Sequence, residues 1–339
     1  MRKLRKKEHV ENYLRSIYEG NTLLGDVFLP NNSLPDIDFD EIDISTMCFG
    51  KKIDAPIMIN AMTGGSDFTK TINADLARLA KKFNIPMAVG SQTIALCQDQ
   101  ECVDSFSIVR DIIGDEGVVI SNLSANESLE ACQMALDLVG GDALQLHLNP
   151  GQEIVMEEGD RKFRGILDNI QMINSKVDKP VIVKEVGLGM SREVVEKLMA
   201  IGIRHVDISG SGGTNFIEIE NLRHSDIDLS ELYSWGIPTA MAIIGARETS
   251  KDLGIIGSGG IRNSMDVVRA IVLGADLVGI AGELISYLLH GGYEAAEEYL
   301  LETFYKIRVI MLLLGKSKIE DLKGSRYIVK GELKDLIEG

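Results

Sequence analysis

The sequence predicts an α/β protein closed into a (β/α)8 TIM barrel with an N-terminal extension, on three observations. Eight short runs rich in Val, Ile, Ala and Met recur without polar alternation, as strands buried on both faces of a parallel sheet do. Segments of helical period lie between them. The eight units together span about 230 residues, the usual size of such a barrel. An open doubly wound sheet is the rival architecture, and no linker-like stretch divides the chain in two.

Residues 1–50 carry no β/α unit. A helix over 8–17 leads into a loop with Pro30, Pro35 and alternating acidic residues, an extension expected to contribute to the substrate site. Strands are expected at 56–62, 86–90, 118–123, 143–148, 181–186, 205–209, 254–258 and 277–281. Helices are expected at 67–83, 103–113, 126–138, 164–177, 191–200, 238–251, 263–273 and 293–314. Ser191 suits an N-cap with Glu193 in the first turn, and Pro238 suits a first-turn position. The barrel then occupies 51–314, and 315–339 reads as a C-terminal tail of helix and turn with a solvated, mixed-charge face.

A net charge of −16 sets the whole protein against nucleic-acid phosphates and anionic membrane surfaces, so any anionic ligand needs a local positive site. Cys48, Cys97, Cys102 and Cys132 form no C-x-x-C pair and no zinc spacing. That usage points to a reduced, cytoplasmic compartment without structural metal. The longest apolar stretch, 309–314, is far too short to span a bilayer.

In a barrel of this kind the active site is built at the C-terminal ends of the strands. Here those ends are polar and glycine-rich: Met62-Thr63-Gly64-Gly65, Ser91-Gln92-Thr93, Ser121-Asn122, His147-Leu148-Asn149, Lys184-Glu185, Ser209 to Thr214, Ser258 to Arg262, and Ala281-Gly282. Small residues after strands 7 and 8 leave backbone N–H groups open to a phosphate at a helix start, and Thr214 can add a hydroxyl. A Gly259-Gly260 pair alone would signal only a tight turn, but three such loops in succession favour the phosphate. Lys184 interrupts an apolar strand, and a lysine buried there needs either an anionic ligand or an internal ion pair with Glu185 or Asp207. After strand 4, Pro150-Gly151 suggests a tight turn that gathers His147, Asn149, Gln152 and Glu153, the last an oxygen ligand suited to Mg²⁺. The basic island Arg5-Lys6-Lys7-Glu8-His9 is either a solvated end or a diphosphate clamp, Arg acting as a fork and Lys as a point charge.

These residues carry a resemblance to type 2 isopentenyl-diphosphate isomerases, the flavin-dependent form, over nearly the whole chain. The specific markers are Arg5-Lys6-x-Glu8-His9 and His147-Leu148-Asn149-x-x-Gln152-Glu153. Lys184-Glu185-Val186-Gly187, Gly212-Gly213-Thr214 and Ser258-Gly259-Gly260-Ile261-Arg262 also fit, as does Ala61-Met62-Thr63-Gly64-Gly65. The resemblance implies that Ala61, Met62, Thr63, Ser91, Asn122, Lys184, Ser209, Thr214, Gly259, Gly260, Arg262, Ala281 and Gly282 surround FMN. It implies that Arg5, Lys6, His9, Ser91, His147, Asn149 and Gln152 hold the substrate, isopentenyl or dimethylallyl diphosphate, with Glu153 supporting Mg²⁺. Gln152 is the catalytic candidate, as proton relay or as orienting group. NADPH as the reductant of FMN and a homo-oligomer, tetramer or octamer, are implied as well. The chain departs from the family pattern at Thr93, where relatives have Arg, and at Phe216, where they have Trp. The first departure leaves more of the diphosphate charge to Arg5, Lys6 and Mg²⁺.

Two other readings share this barrel. An FMN-dependent oxidase or dehydrogenase of hydroxy acids needs a His base with an Arg nearby, and Gly210-Ser211-Gly212-Gly213-Thr214 supplies neither before Arg223-His224. A non-catalytic flavin-binding barrel leaves the polar cluster after strand 4 unexplained.

Overall fold

A computed structural model describes residues 12, 16, 20–97, 99–223 and 227–338. Eight parallel strands close into a barrel: β1 (Ile57–Ile59), β2 (Met87–Ala88), β3 (Val119–Ser124), β4 (Ala143–His147), β5 (Val181–Lys184), β6 (His205–Asp207), β7 (Gly254–Ser258) and β8 (Leu277–Ile280), with β8 paired to β1. Each of the eight apolar runs supplies one strand. Their outward side chains pack on the surrounding helices, and the inward ones form layers inside the barrel.

The lowest interior layer is apolar, with Met58, Ala88, Ile120, Ala143, Ile182, Ile256 and Leu277 in one cluster. A hairpin spanning the expected boundary at 50/51, Thr46–Cys48 paired antiparallel with Lys51–Ile53, adds Cys48 and Ile53 to that cluster and so plugs the barrel's N-terminal end. Burial pushes the Cys48 thiol up to about 12, so it acts there as a small apolar group. Further up, the same interior positions turn polar: Asn60, Gln145, Asp207 and Ser258 are all buried.

Seven helices on the outside follow the expected segments, including α1 (Asp67–Lys82), α2 (Gln100–Ile113) and α3 (Leu129–Val139). Ser191 does cap its helix, its side chain accepting from the N–H of Val194. Pro238 lies one position earlier than expected, at the N-cap of Thr239–Thr249. The last long helix starts at Gly282, not at Tyr293, and runs to Leu314 with a kink at Gly292, whose φ is 78°. Pro150-Gly151 opens a short helix, Pro150–Val155, instead of a turn, because proline is preorganised for a first helical position.

The tail differs from the solvated face expected of it. Ile328–Val329 pairs antiparallel with Val27–Phe28 of the extension, and Ile319, Leu322 and Leu333 are buried. Asp26 joins the two ends, accepting the N–H of Leu333 at 3.1 Å. Among the described residues no helix is long and apolar enough to cross a membrane.

Candidate active site

The barrel's C-terminal mouth opens into a cavity of about 870 Å³, within the roughly 300–1,000 Å³ range of small-molecule sites. Every described residue that the resemblance assigns to cofactor, substrate or metal lies on its wall. Ala61, Met62 and Thr63 follow β1, Ser91 follows β2, and Asn122 projects from β3. His147 ends β4, and Asn149, Gln152 and Glu153 sit at or within the short helix after it. Lys184, Ser209 and Thr214 line the next sector, followed by Gly259, Gly260 and Arg262 after β7 and Ala281 and Gly282 after β8. Arg5, Lys6 and His9 lie outside the described residues.

Lys184 resolves the choice posed by its position. Its amine lies 3.4 Å from the Asp207 carboxylate and donates to the Glu185 carbonyl at 2.9 Å and to Ser209 Oγ at 3.2 Å, while still lining the cavity. The ion pair and the exposure to a ligand coexist. Ser209 holds a φ of 42°, which L residues seldom adopt, and its hydroxyl is thereby placed beside that amine. The Glu185 carboxylate turns elsewhere: one oxygen accepts the N–H groups of Val186, Gly187 and Leu188 at 2.6 Å and that of Gly189 at 3.1 Å. Burial pushes its carboxyl up to about 7 against the lowering pull of these donors.

The group after β4 is tied into one mesh. Asn149 Nδ2 donates to Gln152 Oε1 at 3.1 Å and to Glu153 Oε1 at 2.8 Å, while Glu153 Oε2 accepts the N–H of Asp160 at 2.8 Å. Gln152 Nε2 donates to Glu220 at 2.8 Å, and Glu220 is paired with Arg223. Two N-terminal residues reach the same helix, Phe216–Arg223: Asn12 Nδ2 donates to the Ile219 carbonyl, and Ser16, which lines the cavity, bonds the Glu218 carboxylate. Thr93 donates to Glu127 at 3.0 Å on the opposite wall.

The residues present fit a flavin and its phosphate. Thr63 Oγ1 is buried and has no hydrogen-bond partner among the described residues. The wall after β6, β7 and β8 is glycine-rich, and a helix begins at its rim with Gly282. For a divalent cation the fit is narrower. Among the described residues no three His, Cys, Asp or Glu side chains converge on one point. Glu153 offers one carboxylate whose two oxygens each accept a single protein hydrogen bond, leaving lone pairs over.

Sequence reasoning missed Asn60 on the cavity wall and Gln145 beneath it, and Glu127 and Glu220 around it. The first two carried the signal that exposed Lys184, a polar residue inside or at the end of an apolar run.

Comparison with known proteins agrees with this geometry. Residues 121–329 match the FMN-dependent dehydrogenase family. Isopentenyl-diphosphate delta-isomerases of a Geobacillus species and of Listeria monocytogenes are each 40% identical, over 97% and 98% of this chain and 93% of their own lengths. That of Staphylococcus haemolyticus is 38% identical over 99% of this chain and 96% of its own. Among solved structures, a mutant flavocytochrome b2 with pyruvate bound superposes with a TM-score of 0.71 at 20% identity, over 97% of this chain and 84% of that one. A mandelate oxidase mutant with (S)-mandelic acid gives 0.68 at 16%, over 95% and 94%. The structural likenesses share the barrel alone, whereas the full-length sequence kinship settles the group: the chain belongs to the isopentenyl-diphosphate delta-isomerase family, built on the FMN-dependent dehydrogenase barrel.

Proposed function

We propose that the protein is an isomerase that moves the double bond between isopentenyl and dimethylallyl diphosphate, with FMN in the barrel mouth and Mg²⁺ on the diphosphate. One observation carries this reading. A single cavity gathers the polar group after β4 with the small-residue loops after β6, β7 and β8, in a chain kin to such isomerases over nearly its whole length.

An unactivated alkene offers no acidic proton, and FMN in its reduced form supplies a proton-bearing ring nitrogen when bound, leaving the protein to position and to stabilise charge. Lys184 places a fixed cation on the cavity floor, held there by Asp207. Thr214, Gly259, Gly260 and the N-terminus of the helix at Gly282 suit the flavin phosphate, since open N–H groups and the helix dipole favour an anion. His147, Asn149 and Gln152 face the substrate's side. The Gln152 amide is engaged at both ends, by Asn149 and by Glu220, and a neutral amide has no useful pKa. It orients the substrate. Glu153 would hold Mg²⁺ at the diphosphate, in the usual way of an ion bound through one or two carboxylates. On this reading NADPH reduces the flavin and the chain works in the cytoplasm as a homo-oligomer.

Purified protein is expected to show flavin absorbance in the visible and to turn over isopentenyl diphosphate only with reduced flavin and Mg²⁺. If protein refolded with excess FMN shows neither absorbance nor quenched flavin fluorescence, the cofactor is wrong. Full activity in EDTA with oxidised flavin would defeat the rest.

The basic N-terminus is a separate test. Losing one charged hydrogen bond costs roughly 1.5–3 kcal/mol, about tenfold to a hundredfold in affinity, so changing Arg5 and Lys6 to Ala should raise KM by at least that and leave flavin occupancy intact. An unchanged KM at low and physiological salt would return these residues to a solvated end.

A further inference from the structure

A continuous line of buried amides runs across the barrel interior from a carboxylate to the imidazole at the cavity wall. Asp207, Asn60, Gln145 and Asn122 are each at most 3% exposed, so their polar atoms find partners within the protein or, for Asn60 and Asn122, at the cavity they line. Hydrogen-bond logic then fixes which end of each amide points where. Asn60 Oδ1 accepts the N–H of Ala61 at 2.8 Å, so its Nδ2 is the end that donates to Asp207, at 2.7 Å. Gln145 faces two acceptors at once, Asn60 Oδ1 at 3.3 Å and Asp207 Oδ2 at 3.4 Å. Only its NH2 can point there. Its Oε1 is left for Asn122, which donates Nδ2 to it at 3.0 Å. Asn122 Oδ1 consequently faces His147 Nδ1 at 2.9 Å, and an acceptor there calls for a proton on Nδ1.

We propose that Asp207 sets the tautomer of His147 through Gln145 and Asn122, holding the single proton of the neutral ring on Nδ1. The ionised carboxylate is the one member of the line that can only accept, and that gives the whole line its direction. Gly279 makes room for it, since a Cβ there would lie 2.7 Å from Asn60 Nδ2. Asp207 is a positioning residue here and touches no substrate. The consequence for turnover rests on the isomerase reading: a neutral His147 then presents a lone pair, not a proton, at Nε2.

The chain has five histidines, few enough for nitrogen-15 NMR of the histidine-labelled, full-length flavoprotein, with the His147 signals assigned by their loss in His147→Gln. At a pH where the ring is neutral, His147 should show a protonated Nδ1 and an unprotonated Nε2. Gln145→Met cuts the line and leaves the Lys184–Asp207 pair standing, so the Nδ1–H form should lose its dominance to a mixture of tautomers. A neutral His147 in the unaltered protein that carries its proton on Nε2 overturns the proposal without any variant. Retention of a pure Nδ1–H form in a folded Gln145→Met overturns it too. Neither result depends on what the substrate is, so a failure of the isomerase reading would be seen separately, in the turnover assay.

Discussion

Lys184→Met should lower stability by about 3 kcal/mol and strip the protein of its flavin. The magnitude is the lower end of what breaking one side of a buried ion pair costs, because Asp207 keeps donors from Asn60 and Ser258 when the amine is gone. What remains is a carboxylate that is 0% exposed and has lost its cation. The urea midpoint and the visible absorbance of the purified variant report the two effects. Adding Asp207→Asn to Lys184→Met removes the uncompensated charge, so the double variant should regain much of the stability but none of the flavin affinity. An unchanged midpoint in the single variant would mean that the pair is solvated, contrary to its burial.

Gly259→Val should be the second large effect, and its cause lies in the protein before any ligand enters. Gly259 has a φ of +101°, and a Cβ on it would collide with the backbone carbonyl and N–H of Gly210, which cannot swing away as a flexible side chain could. Overpacking costs about 1–3 kcal/mol, and a left-handed backbone adds roughly 1–2 kcal/mol for an L residue. The loops after β6 and β7 must then part, which breaks the expected phosphate cradle. Flavin occupancy should fall below detection and Tm should drop, whereas Gly25→Ala, where nothing lies within 4 Å of the new carbon, should change neither. Full occupancy in Gly259→Val would place the phosphate elsewhere.

The barrel was legible in the sequence because parallel strands covered on both sides need apolar residues at consecutive positions. Val181–Lys184 is buried throughout, and it read as a strand for that reason. The mouth residues were legible because a polar side chain after such a run has few structural uses. Three things escaped, each for a physical reason. The segment from Gly282 to the kink at Gly292 is helical, yet its glycines gave no start signal. Pro150–Val155 is too short for a period to show. The tail mixes charge with isolated apolar residues and short apolar pairs, and only the tertiary structure reveals that Leu322 and Leu333 have somewhere to go. Asn60 and Gln145 were visible in principle, but nothing in the sequence pointed to their partners across the barrel, whereas Asp207 was read as a partner for Lys184 and is one.

The plug formed by the Thr46–Ile53 hairpin turns the barrel into a well with one opening. Lys184 stands near the floor of that well, and the mesh of Asn149, Gln152 and Glu153 stands at its rim. Whatever is held against the floor must therefore enter and leave by the same mouth that carries the rim residues, so a ligand at the rim narrows the path of one below it.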